Sequence, residues 1–121
     1  MPVSDFVTKD SGRRRSFATG AVRDVRTDKG RYDLLSAIAI RREAELLERG
    51  AVKYGERNWE NGIPISCFID STLRHIFNYL AGEMTEDHLA AARWNLGCAM
   101  HFEELRPDLQ DIPNRKYTEA K

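Results

Sequence analysis

Apolar residues along this chain recur at helical spacing, and no stretch alternates long enough to predict a strand. From Asp33 they fall at Leu34, Leu35, Ile38, Leu46, Leu47 and Ala51. That rhythm predicts a first helix over 33–54, fed by the turn Lys29-Gly30-Arg31-Tyr32, capped by Asp33 and open to a break at Gly50. Ile69, Leu73, Ile76 and Leu80 mark the buried stripe of a second helix over 67–81, with Ser66 as N-cap and Gly82 as its stop. Leu89, Ala92, Leu96, Ala99 and Glu103 mark a third over 86–105, opened by Thr85 and closed before Pro107. Glu86 and Asp87 suit the positive end of its dipole. The connection 82–85 is short enough to fold helices two and three into an antiparallel hairpin. The expected fold class is all-α, with three main helices and no internal repeat.

Outside the helices the pattern fades. Residues 1–28 read as a poorly ordered N-terminal arm with a basic cluster at Arg13, Arg14 and Arg15, its end pinned by Val22 and Val25. The cluster is either a solvated tail or a weak phosphate contact. Residues 29–106 form the helical domain, and 107–121 a polar tail. Three helices drawn from about 75 residues bury a modest core, since chains of this size bury about 60–70% of their unfolded surface. An oligomer, dimer or larger, would cover more, with helix one as its seam.

Composition narrows the function classes. Among 121 residues, 19 basic and 19 acidic side chains cancel, so an extended nucleic-acid surface is not expected and any anion site must be local. No apolar run approaches the roughly 20 residues of a membrane span. Met1–Thr8 lacks the apolar centre of a secretion signal, so a cytoplasmic location is expected. Cys67 and Cys98 read as two free core thiols rather than a disulfide.

Chemistry concentrates in four places. On helix two, Asp70 and Arg74 are i,i+4 neighbours beside His75 and Asn78, either a surface ion pair or part of a site. On helix three, His88 and Asn95 share a face around Ala90, Ala91 and Ala92, which suits interhelical hydrogen bonds or the close approach of a ligand. On helix one, Glu45 and Glu48 are three apart and can offer oxygen ligands to a hard cation, although Arg41, Arg42 and Arg49 suit a solvated face. The loop from Lys53 through Tyr54, Arg57, Asn58 and Trp59 to Glu60 mixes cations, amides and rings, a set suited to a phosphate plus a flat base. No Walker loop, dinucleotide fingerprint, zinc spacing or nucleophile elbow is present.

The order of residues carries a resemblance over about 29–105. It runs through Lys29-Gly30-Arg31-Tyr32-Asp33-Leu34-Leu35, then Gly50 to Gly62 with Lys53-Tyr54-Gly55 and Asn58-Trp59. It continues through Asp70, Leu73-Arg74-His75, Tyr79-Leu80, His88-Leu89-Ala90 and Asn95. This resembles the phage and prophage family named for a dATP/dGTP diphosphohydrolase N-terminal domain. The resemblance implies a helical fold related to the MazG-like nucleotide pyrophosphohydrolases. Those enzymes hold Mg²⁺ or Mn²⁺ on carboxylates while water attacks between the α and β phosphates. Their usual E-E-x-x-E and E-x-x-D pair is replaced here by Glu45-x-x-Glu48, Asp70 and Asp87, with His88 and Asn95 where further carboxylates are expected.

What the resemblance implies is a purine (deoxy)nucleoside triphosphate pyrophosphohydrolase in a phage context. Glu45, Glu48, Asp70 and Asp87 would be the metal ligands, and Asp70, Asp87 and His88 the catalytic groups. Lys53, Arg57 and Arg74 would neutralise phosphates, Tyr54 or Trp59 stack on the base, and Asn58 or Asn95 read its edge. Lys29, Arg31 and His75 complete the substrate-binding set. Two other readings remain open: a non-catalytic sponge that sequesters an immune-signalling nucleotide, and a structural helical oligomer. The first two readings expect Lys53, Trp59, Asp70, Arg74, His88 and Asn95 to converge.

Overall fold

A computed structural model describes residues 5–116; the outer ends of the expected arm and tail, 1–4 and 117–121, lie outside the described residues. The chain divides into a first unit ending at Leu35 and a second beginning at Ser36.

The first unit holds a small hairpin within the stretch expected as an arm. Strands β1 (Arg14–Ser16) and β2 (Val22–Asp24) pair antiparallel, Arg14 facing Asp24, Arg15 facing Arg23 and Ser16 facing Val22. Three residues per strand are too few for an alternating pattern to register. The turn closes through the Phe17 amide to the Ala21 carbonyl at 3.0 Å, and Gly20 supplies its positive φ of 89°. Asp24 ties the hairpin together: it accepts from the Ser11 amide and hydroxyl and pairs with Lys29 at 2.9 Å. A single 3₁₀ turn follows at Tyr32–Leu34.

The second unit is all-α, with three main helices: α1 (Ala37–Tyr54), α2 (Ile65–Leu80) and α3 (His88–Leu105). All three starts differ from the sequence expectation. Ser36, not Asp33, caps α1 and accepts from the Ala39 amide at 3.1 Å, while Asp33 is held by the Arg31 guanidinium. α2 starts directly after Pro64, so Ser66 lies in its first turn. There the Ser66 amide and hydroxyl donate to Asp111, at 2.9 and 2.5 Å. Asp87, not Thr85, caps α3, accepting from the Ala90 amide at 3.2 Å. Thr85 instead donates its hydroxyl to Glu83.

The core lies between α2 and α3, which pack closely along one another. Ile65 and Phe68 meet Cys98, Ala99 and Phe102, and the Phe68 and Phe102 rings stack with centroids 5.9 Å apart. The buried line of α2 is therefore Ile65, Phe68 and Thr72, and the expected stripe members Leu73 and Leu80 are exposed. On α3 the inward residues are His88, the alanines 90–92, Asn95, Cys98, Ala99 and Phe102, while Leu89 and Leu96 face outward. Small residues let the helix backbones approach, so the alanines rather than the leucines occupy the seam. α1 leans on α3 through Arg42 to Asp87 and Glu43 to Arg93, and none of its residues is fully buried. Beyond Pro107 the chain stays attached: Leu109 and Ile112 pack against the core. Both cysteines are free; Cys98 is buried, but Cys67 points off the buried face of α2 and is exposed. Burial pushes the Cys98 thiol up to about 12.

Candidate functional site

The turn between α2 and α3 holds a cluster of donors that could take a metal ion. Gly82, at φ 85°, reverses the chain, and the Glu83 amide returns to the Asn78 carbonyl at 3.0 Å. Glu83 is thereby folded back over the end of α2. One of its carboxylate oxygens accepts from the Thr85 amide at 2.7 Å and from the Thr85 hydroxyl. The other meets Nε2 of His88. These hydrogen bonds, those from Thr85 first, hold Glu83 at about 2 against an ordinary 4.5.

His88 opens α3 and is 2% exposed. Its Nδ1 lies 2.9 Å from Nδ1 of His75, one helix away on α2. Burial lowers the pKa of His75, so its neutral form is favoured. Donor atoms of Glu83, Glu86 and His88 all lie within 4.8 Å of one another. Two carboxylates and an imidazole form a donor set that suits Mn²⁺, and Mg²⁺ through the carboxylates. Glu83 and His88 are in direct contact as a hydrogen-bonded pair, with a hydrogen between the carboxylate oxygen and the nitrogen. A cation held by both would take the place of that hydrogen.

The cluster borders an open cleft of about 590 Å³ lined by Arg42, Glu45 and Arg49 of α1, Tyr79 of α2, and the turn from Glu83 to Leu89. Asp87 braces it. Its two oxygens take Nε and Nη2 of Arg42 at 2.9 and 2.5 Å, and this pairing lowers its pKa.

The expected site residues are distributed unevenly around this cleft. His88, Asp87 and Glu45 line it, and His75 backs His88. Asn95 is buried, and its amide donates to the Ala91 carbonyl at 2.8 Å. Lys53 sits over the Tyr54 ring at 4.9 Å; its pKa is raised first by Tyr54 and further by the charge of Glu86. Asp70 and Arg74 form an exposed pair 3.6 Å apart, and neither they nor Glu48 line the cleft. Arg57 pairs with Glu60, and the Asn58 carbonyl accepts from the Asn61 amide. Lys29 and Arg31 belong to the first unit and pair there with Asp24 and Asp33.

Trp59 packs edge-on to Trp94, His101 and Phe102, as an aromatic wedge on the core. His101 stands 13 residues beyond His88 on α3, a separation of about 20 Å at 1.5 Å per residue. Trp59 and His88 are therefore not brought together. The sequence reading missed Glu83 and Glu86; the available signal was Glu83-x-x-Glu86-x-His88 directly after the helix-ending Gly82.

The acid behaviour of this turn follows from the direction of the shifts. Carboxylates with lowered pKa values stabilise the fold fully above their ordinary values and lose that contribution as pH falls through the folded ones. The melting temperature is expected to hold from pH 7 to about 5 and then fall between 4.5 and about 2 as Glu83 protonates. The Glu83→Gln variant should show a shallower acid decline when melting is followed by circular dichroism.

No helix among the described residues is long and apolar enough to cross a membrane. No curated protein and no solved structure matches the chain. The family described as dATP/dGTP diphosphohydrolase, N-terminal, matches residues 19–112, from the hairpin turn of the first unit to Ile112 against the helical core. With most of its length matched, the chain belongs to the dATP/dGTP diphosphohydrolase N-terminal family.

Proposed function

We propose that the cleft is a pyrophosphohydrolase site for purine (deoxy)nucleoside triphosphates, working in the host cytoplasm in a phage or prophage context. The family match and the Glu83/Glu86/His88 cluster support a metal-dependent, hydrolase-like function. The observation that carries the finer reading is the convergence of those three donors beside a wall bearing Arg42 and Arg49. Glu83, Glu86 and His88 would hold Mg²⁺ or Mn²⁺. The bound ion supplies charge neutralisation to phosphate oxygens and eases deprotonation of a water. Arg49 faces the phosphates, and Arg42 is held in place by Asp87. Tyr79 offers the cleft an aromatic face for a base, the part that Trp59 is too far away to play.

The test is incubation with a nucleotide panel and Mg²⁺ or Mn²⁺. Product formation is compared with intact nucleotide recovered after denaturation. Turnover supports the enzyme. Stoichiometric recovery of unchanged nucleotide supports the sponge, which the engagement of Asp87 by Arg42 favours, because it leaves fewer carboxylates for a metal. Neither outcome would leave the structural-oligomer reading standing. Arg49→Ala is expected to weaken nucleotide binding by about 1.5–3 kcal/mol, the scale of a hydrogen bond to a charged group. Arg74→Ala should change it little, as calorimetric titration would show.

The same reading includes a homo-oligomer. Leu73, Phe77 and Leu80 on α2 and Ile38 on α1 are all more than half exposed, a large apolar area for a monomer. Light scattering should give the mass of a dimer or larger, and a monomeric mass at working concentration would reject this part of the reading.

A further inference from the structure

We propose that His75 is a positioning residue that selects which nitrogen of His88 is free to bind a divalent cation. This rests on the reading of Glu83, Glu86 and His88 as a metal site.

Hydrogen positions decide which nitrogen is free. The two Nδ1 atoms lie 2.9 Å apart, and one hydrogen fits between them. When His75 donates that hydrogen, Nδ1 of His88 is the acceptor. Neutral His88 then carries its own hydrogen on Nε2, which donates to Glu83. In this state His88 has no lone pair to offer a cation. When His88 donates instead, its Nε2 is bare and faces the Glu83 carboxylate as a ligand. His75 then accepts at Nδ1 and holds its hydrogen on Nε2. The pair carries two hydrogens in both states. One stays between the Nδ1 atoms; the other moves from Nε2 of His88 to Nε2 of His75. Cation binding therefore displaces a hydrogen on one side of the pair and takes one up on the other.

Burial makes His75 indispensable to this exchange. The His88 side chain is 1% exposed, so water is a poor substitute acceptor at Nδ1. Without His75, an Nδ1 hydrogen on His88 would be buried and unsatisfied. The hydrogen would remain on Nε2, satisfied by Glu83, and the cation would lose its nitrogen ligand. This is the outer-partner role known for metal-bound histidines, supplied here by a second imidazole.

Two substitutions separate positioning from packing. His75→Gln keeps a carbonyl oxygen able to accept from Nδ1, whereas His75→Phe keeps a ring and removes the acceptor. Mn²⁺ titration followed by electron paramagnetic resonance is expected to show the Gln variant within a few-fold of wild type. The Phe variant should bind about 10–100-fold more weakly, with its melting transition retained. Nitrogen-15 histidine spectra of the wild type with Zn²⁺ should show His88 protonated at Nδ1. Equal Mn²⁺ binding by wild type and His75→Phe overturns the proposal, as does equal weakening by Gln and Phe. If the Phe variant does not fold, the Zn²⁺ spectra decide, and a hydrogen on Nε2 of His88 overturns it. A wild type that binds no Mn²⁺, or binds it as well after Glu83→Gln, removes the metal-site reading itself and this inference with it.

Discussion

Glu83→Gln is expected to lower metal-dependent hydrolysis at the cleft by about a hundredfold or more, since losing a ligand should cost at least the upper end of the 10–100-fold typical of outer-partner losses. The side chain holds two positions at once. One oxygen is fixed by both Thr85 donors, and this presents the other to His88. Its low pKa, about 2, keeps it charged throughout the neutral range. Glutamine has the same length and leaves the Thr85 donors an acceptor, so the turn should survive. What it loses is the negative charge and a metal-binding oxygen beside Glu86 and His88. The measurement is product formation with Mn²⁺, paired with a melting curve to show that the fold is intact. Unchanged turnover in a folded Glu83→Gln protein would move the metal site elsewhere.

The largest effect on stability is expected at Phe102. It is 2% exposed and stacks on Phe68, with Trp59 and His101 edge-on to it. Phe102→Ala leaves a cavity where the loop after α1 meets the α2–α3 seam, and the cost of such changes is about 3–5 kcal/mol. Small domains carry only about 5–15 kcal/mol in total, so urea unfolding should show a much earlier midpoint. Leu96→Ala on the outer face of the same helix should lose far less in the monomer. A loss of under about 1 kcal/mol at Phe102 would mean that the seam is not the core.

Helix existence was legible in the sequence because periodicity reports it directly. Helix faces were less so. Leu73, Leu80, Leu89 and Leu96 look like core by hydrophobicity, yet they lie outside because the seam selects for close approach, and Ala90–Ala92 permit it. Capping was misplaced where another partner claimed the candidate residue, Arg31 for Asp33 and Glu83 for Thr85. Ser66 has the chemistry of an N-cap, but Asp111, 45 residues on, engages it inside the first turn. The inward position of His88 was visible from its place among small residues. Its partners were not, because Glu83 and Glu86 lie in a turn, where acidic residues are ordinarily solvated, and only the reversal at Gly82 folds Glu83 back. The place of Trp59 was not legible for the opposite reason: among cations in the sequence it suits a nucleotide, whereas in space its ring packs on the core.

The contact between Ser66 and Asp111 bears on where this polypeptide can be cut. The first turn of α2 has amides with no partner inside the helix, and a carboxylate there also favours the positive end of the dipole. That carboxylate arrives from a segment beyond Pro107, which a boundary drawn by helix prediction would discard. Ending the chain at Arg106 would remove Asp111 together with Leu109 and Ile112, exposing core atoms and loosening the start of α2 in a single step. A piece of the second unit that keeps these contacts therefore runs at least to Ile112, the residue at which the family match also ends.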